Sequence, residues 1–142
     1  MEDLIFETKY WKVILAEDQY YIGRCYISLK RECGDLADLK KEEIIDFLEL
    51  VKKLENALKK SFNATMFNWS CLMNNAYKDK NPKPQVHWHL WPRYRNKVEF
   101  GGEIFEDKEF AHYYERKTDR KLSSEVRIKI IKKIRENLSS LQ

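Results

Sequence analysis

Long apolar runs are missing from this sequence. No segment approaches the roughly 18 consecutive apolar residues of a membrane-spanning helix. The opening Met1-Glu2-Asp3-Leu4-Ile5-Phe6-Glu7 has no basic stretch leading into an apolar one. A membrane partner and a secretory leader are therefore not expected. Repeats, linkers and low-complexity tracts are lacking too, and glycine and proline number only four and three. One domain over residues 1–142 is the expectation. Cysteine is limited to Cys25, Cys33 and Cys71. Their count is odd, and no spacing matches a zinc knuckle or a redox pair. They read as reduced, mostly buried thiols of a cytoplasmic protein. A strong excess of one charge is also lacking, since 27 basic residues face 23 acidic ones for a net +4. Lys and Arg are interleaved with Glu and Asp, which argues against a dedicated nucleic-acid surface and leaves a mild preference for anions.

Aromatic residues are plentiful, with Trp11, Trp69, Trp88 and Trp91 among them, and they exclude a disordered chain. Tyr10 to Ala16 is aromatic and β-branched and predicts a strand. Glu17-Asp18-Gln19 reads as a turn, and Gly23 precedes a second strand, Arg24 to Leu29, that can pair with the first. Leu39 to Phe62 carries Ile44, Phe47, Leu48, Val51, Leu54 and Leu58 at helical spacing, with Asp38 as the expected N-cap. Ala64 to Met73 predicts a central strand, followed by Asn74-Asn75 and a polar loop from Lys78 to Pro84. Lys97 to Phe100 suits a further short strand before Gly101-Gly102. Glu103 to Lys121 shows no period. Ser123 or Ser124 is placed to cap a last helix with Val126, Ile130, Ile131, Ile134 and Leu138 as its apolar stripe. Strands and helices mix without βαβ regularity, so the expected class is an antiparallel α+β domain.

Chemistry concentrates in Gln85-Val86-His87-Trp88-His89-Leu90-Trp91-Pro92-Arg93. Its period of two is that of a half-buried strand, which sets Gln85, His87 and His89 on one face and Val86, Trp88 and Leu90 on the other. Pro92 cannot donate to a ladder, so the strand should end or reach an edge there. Two of the chain's three histidines share this face. They allow three readings. Both can be structural. They can be two ligands of a zinc ion, although His112 is the only other histidine and no carboxylate sits in the strand. Or a neutral imidazole can attack an α-phosphate to form a phosphoramidate, with a backbone carbonyl fixing its tautomer and neighbouring donors holding the phosphate oxygens.

The strand resembles the signature of the histidine triad (HIT) family of nucleotide hydrolases and transferases, His-φ-His-φ-His-φ-φ, often continued by Pro-Arg. Tyr20-Tyr21-Ile22-Gly23 with Leu29-Lys30-Arg31 resembles the family's first hairpin. Asp35-Leu36 and Leu39 before the long helix resemble its crossover. Asn68 to Asn75 resembles the strand and turn ahead of the triad. The similarity covers residues 9 to 95, looks closest to small bacterial HIT proteins, and leaves 103–142 as a C-terminal extension with a helix.

That resemblance implies a sheet of about five strands under one long helix, and a homodimer formed by joining sheets. It implies His87 as the nucleophile that becomes nucleotidylated and His89 as a contact to the phosphate or the leaving-group oxygen. It places Asn74 on the phosphate, Gln85 at the first triad position, and Glu17 or Asp18 near the residue that meets ribose hydroxyls. The implied substrates are purine nucleotides, including diadenosine polyphosphates, with no cofactor and no metal. Two positions depart from the pattern: Gln85 replaces the first histidine, and Arg24 replaces the histidine that follows the hairpin glycine. Arg24 is expected behind Gln85. A nucleotide-binding or protein-interaction module with lost catalysis is the alternative. Trp69 and Trp88 are read as core or dimer-interface residues, and Phe110 to Tyr114 as a stretch that lines either the site entrance or an interface.

Overall fold

The computed structural model describes residues 3–138; Met1, Glu2 and residues 139–142, the ends of the expected domain, lie outside the described residues. Five strands, β1 (Leu4–Glu7), β2 (Trp11–Leu15), β3 (Cys25–Leu29), β4 (Met66–Ser70) and β5 (His87–Arg93), form one antiparallel sheet in the order β1-β2-β3-β5-β4. The long helix α1 (Lys41–Phe62) joins β3 to β4. A hairpin, β6 (Val98–Phe100) and β7 (Glu103–Phe105), and a C-terminal helix α2 (Ser124–Leu138) complete the α+β fold.

Alternation decides the layers. In β2 and β3, Trp11, Val13, Leu15, Cys25, Ile27 and Leu29 are buried, while Lys12, Ile14, Tyr26 and Ser28 are half-buried on the other face. The buried face packs with Val86, Leu90 and the α1 residues Leu50, Leu54, Leu58 and Phe62 into one core. The indole of Trp11 also donates to the Glu43 carbonyl at 2.9 Å, which ties the start of α1 to β2. Helix α2 packs on α1 and β1 through Val126, Ile130, Ile131 and Ile134, the stripe expected for it. The Val126 amide takes the Ser123 hydroxyl as its acceptor at 3.3 Å. Gly23 sits at φ +89°, and a Cβ there would stand 2.6 Å from Leu58 Cδ2, so both the turn and the close helix require glycine.

Several expectations are corrected. Helix α1 starts two residues later than Leu39, and Lys40 rather than Asp38 stands at its N-cap. The reason is Glu43, whose carboxylate accepts from the Lys40 amide at 2.8 Å and from Arg31 at 2.7 and 2.8 Å. The Arg31 guanidinium pulls the Glu43 carboxyl down to about 2. Asp38 belongs instead to a single 3-10 turn, Leu36–Asp38, capped by Asp35. Ile44 and Leu48, expected on the buried stripe, are 52% and 54% exposed. Strand β4 is shorter than Ala64 to Met73 and lies at the sheet edge, because β5 inserts between it and β3. Strand β1 was not foreseen: Leu4 to Glu7 is too short to show a period. Pro92 behaves as expected, since β5 leaves β3 after Leu90.

Between β7 and α2, residues 106–120 form neither helix nor strand and run across the β5 end of the sheet. Asp107 anchors this strap to Arg93 through two hydrogen bonds, at 2.7 and 3.0 Å, and both side chains are 0% exposed. Removing one partner leaves a buried charge unpaired. Asp107→Ala should therefore lower the unfolding free energy by about 3–5 kcal/mol, measured by urea denaturation.

Candidate functional site

The open face of the sheet is built from rows of side chains that run across the strands. Lys12, Ser28 and His87 form one row, and Ile14, Tyr26, His89 and Ser70 form the next. His87 Nδ1 lies 2.7 Å from the carbonyl oxygen of Gln85. A carbonyl only accepts, so Nδ1 carries a proton, and in the neutral ring the lone pair is then on Nε2. The structure thus brings His87 and His89 together, with ring centroids 4.9 Å apart.

His89 is enclosed by rings. Tyr26 meets it edge-on at 4.9 Å and Trp91 stacks on it at 5.3 Å. Burial pushes its pKa down to about 4, helped by the neighbouring His87 and the charge of Arg24. His89 is neutral at physiological pH. Its Nδ1 and the Ser70 hydroxyl across the strand are both buried and, among the described residues, lack a protein partner.

The Gln85 side chain is tied into the fold. Its amide donates to the carbonyls of Leu29 and Arg31 at 2.8 Å each, and its oxygen accepts from the Cys33 amide at 3.0 Å. This clamp holds the end of β3 against the start of β5 and fixes the carbonyl on which His87 rests. Asn74 is exposed near the start of the connection from β4 to β5; its carbonyl accepts from Tyr77 at 3.1 Å and, among the described residues, its amide side chain has no protein partner. Glu17 is exposed and faces a hollow with Asp3, Lys121 and Arg127 beside α2, apart from the histidines.

Asp18 is fully engaged. Oδ1 accepts from the Tyr20 and Arg120 amides at 3.0 and 2.9 Å, and Oδ2 from Arg24 at 3.1 Å and from the Thr118 hydroxyl. Those four donors match the roughly four lone-pair sites of a carboxylate. Burial alone would raise this carboxyl; the hydrogen bonds from Thr118, Arg120 and Tyr20 and the Arg24 charge outweigh it and hold the carboxyl below its ordinary value.

Arg24 does not lie behind Gln85. Gln85 joins the far end of β3, whereas Arg24 precedes β3 and spreads over Trp91 at 4.9 Å, near His89. Two participants were missed from sequence. Trp91 shares the parity of His87 and His89, so it was legible. Ser70 could have been read only with the register of β4 known. Tyr114, in the stretch read as lining the site entrance or an interface, stacks on Trp91 at 3.8 Å. Among the described residues no group of three or more His, Cys, Asp and Glu is arranged to hold a metal ion.

The depressed His89 pKa sets a sign. Between about pH 6.5 and about pH 4 the unfolded chain binds a proton there that the folded chain does not. Stability should rise with pH through that window and fall as pH drops. His89→Gln should flatten this part of a denaturation-versus-pH curve.

The HIT domain model matches residues 1–96. No curated protein matches the chain in sequence. Among solved structures, a hypothetical histidine triad nucleotide-binding protein of Sulfolobus tokodaii superposes with TM-score 0.69 at 15% identity, over 98% of this chain and 85% of that one. A histidine triad protein of Marinobacter aquaeolei gives TM-score 0.70 at 16% identity, over 98% and 90%. A diadenosine triphosphate hydrolase of Plasmodium falciparum gives TM-score 0.66 at 18% identity, over 99% and 78%.

Proposed function

Because the chain belongs to the HIT domain family, we propose that it is a nucleotide hydrolase or nucleotidyl transferase acting at the α-phosphate of a nucleoside phosphate anhydride, ester or phosphoramidate. The observation that carries this reading is the 2.7 Å contact from His87 Nδ1 to the Gln85 carbonyl, which leaves Nε2 as a nucleophile. In the first step the Nε2 lone pair attacks the α-phosphorus and the bond from phosphorus to the leaving group breaks. In the second, water or an acceptor hydroxyl attacks the nucleotidyl-His87, the N–P bond breaks and Nε2 recovers its lone pair. His89 stands beside His87 to contact the phosphate or the leaving-group oxygen. Asn74, with its amide unspent, reaches for a phosphate oxygen. Lys12 shares a row with His87 and adds positive potential to the face.

Gln85 serves this site through its carbonyl and its clamp on β3. Asp18 serves it by holding Arg24 and the strap. Purine nucleotides and dinucleoside polyphosphates remain the substrates the family reading favours, and the similarity to a diadenosine triphosphate hydrolase supports the second group. His87→Ala should cut turnover of adenylyl and guanylyl compounds by at least about 10³-fold without unfolding the protein. Mass spectrometry after brief exposure to substrate should find a nucleotidyl group on His87. Undiminished turnover in His87→Ala would sink the proposal, while binding without any turnover in the wild type would favour the binding-module reading.

The protein is also proposed to be a homodimer. Leu36, Ile44, Ile45 and Leu48 are exposed around the start of α1, beside half-buried Phe47 and Trp88. Leu36 and Ile44 share a hollow with Phe47 and Trp88, and Phe47 meets Trp69 of the edge strand β4 at 5.6 Å, an apolar area of the kind that a second copy covers. Light scattering at micromolar concentration should give twice the chain mass, and Ile45→Glu with Leu48→Glu should give a folded monomer. A wild-type monomer would contradict this.

A further inference from the structure

One end of the open face is covered by the strap, residues 106–120, and the strap is held at several separate points. Arg93 grips Asp107 and also donates to the carbonyls of Glu109 and His112 at 2.8 and 2.7 Å. The Glu115 amide donates to the Tyr21 hydroxyl at 2.7 Å. The Thr118 hydroxyl and the Arg120 amide donate to Asp18. Ala111 takes a left-handed φ of +73°, a turn that costs a non-glycine residue energy and that these anchors maintain. Between the anchors Tyr114 lies flat on Trp91, with centroids 3.8 Å apart and planes 11° from parallel. Trp91 in turn lies 22° from parallel to the His89 ring. Three rings from two distant parts of the chain thus make one stack that ends at the site.

We propose that Tyr114 is a positioning residue for this site: through Trp91 it holds the His89 ring beside His87 and shields it from water. The inference rests on the reading of His89 as part of the reactive face. The physical argument is one of packing. A Trp face that loses a ring at van der Waals distance loses its dispersion partners and admits water. Trp91 then gains freedom, and the imidazole stacked on it gains both freedom and hydration. The charged and titratable groups that face His89 are His87 on β5, Tyr26 on β3, and Arg24, itself paired with Asp18; Ser70 faces it from β4. Arg116 stands over Tyr114 at 6.0 Å. Removing the Tyr114 ring alters the charge of none of these groups. A change in His89 titration therefore reports the loss of shielding.

The test is NMR titration of the histidine side chains in Tyr114→Leu and Tyr114→Phe, alongside steady-state kinetics. In Tyr114→Leu the His89 pKa should rise from about 4 toward its ordinary value of 6.5. In Tyr114→Phe, which keeps the stack, it should stay with the wild type. With a turned-over substrate, Tyr114→Leu should lower kcat about tenfold and move KM by less than about twofold, because the ring orients a reacting group and adds no binding contact. Thr118→Val loosens the strap from its far end and should move His89 the same way by less; it decides the matter if Tyr114→Leu does not fold. An unmoved His89 titration in a folded Tyr114→Leu, or in Thr118→Val where that variant decides, would overturn the proposal. So would a Phe variant that shifts as far as the Leu variant. The titration needs no activity, so it is read separately from the fate of His87→Ala.

Discussion

A guanidinium with all its donors matched fixes the far end of this molecule. Arg93 is 0% exposed, and its five N–H groups meet five oxygens: two on Asp107, one on Asn68, and the carbonyls of Glu109 and His112. Such a residue costs several kcal/mol to bury unless every donor is met, and here every one is. Its partners come from β4 and from the strap, so a single side chain on β5 ties the strand that bears the histidines to both. Without that tie, the start of the strap would lose its main anchor, while its far end would keep Tyr21, Asp18 and the Arg120 contacts.

The opposite end of β5 is fixed by another matched group. The Gln85 amide meets three backbone groups of the β3 end and the loop after it. A histidine at this position has two ring nitrogens and could not make all three bonds. Gln85 therefore does not simply replace a missing imidazole. It makes the position a clamp, while the function of that residue toward His87 passes through the main chain, which every residue type possesses. His87 sits between two locked ends, with its own tautomer set by one of them.

How much of this was legible follows from the range of the interactions. The strand of alternating His and Trp, the long helix, the first hairpin and the α2 stripe are local patterns of period 2 or 3.6, and they stand where their residues indicate. Where tertiary pairing decides, the sequence misled. Ile44 and Leu48 keep a helical period, yet the sheet covers the neighbouring face, marked by Leu50, Ala57 and Phe62. Ala64 to Met73 is apolar enough for a central strand, yet β5 inserts beside it. Asp38 has the right chemistry for a cap, yet Glu43 reaches back to Lys40 and starts the helix later. Gly101-Gly102 is a turn signal, both residues at positive φ, and after the expected strand Lys97 to Phe100 it could have disclosed β7, the return strand at the start of a region that showed no period. The strap offered no such signal, because its conformation is dictated by Arg93, Tyr21 and Asp18, all remote in sequence.

Most of the unmatched polar atoms surround the His89 ring. Folded proteins seldom leave a buried donor or acceptor without a partner, since each costs about 1–3 kcal/mol. Arg93, Gln85, Asp18 and Glu43 obey this strictly. Among the described residues, the buried side-chain atoms to which the protein supplies no partner are Asn56 Nδ2 on α1, Trp88 Nε1 on the core face of β5, and Arg24 Nε, Ser70 Oγ and His89 Nδ1. The last three lie on one face, around one imidazole that burial keeps neutral. A matched charge, Arg93, and a matched amide, Gln85, grip the two ends of β5, and three of the unmatched atoms gather between them. A sheet that spends its strongest hydrogen bonds on the ends of a strand and withholds them from the middle keeps the middle rigid and free to bind.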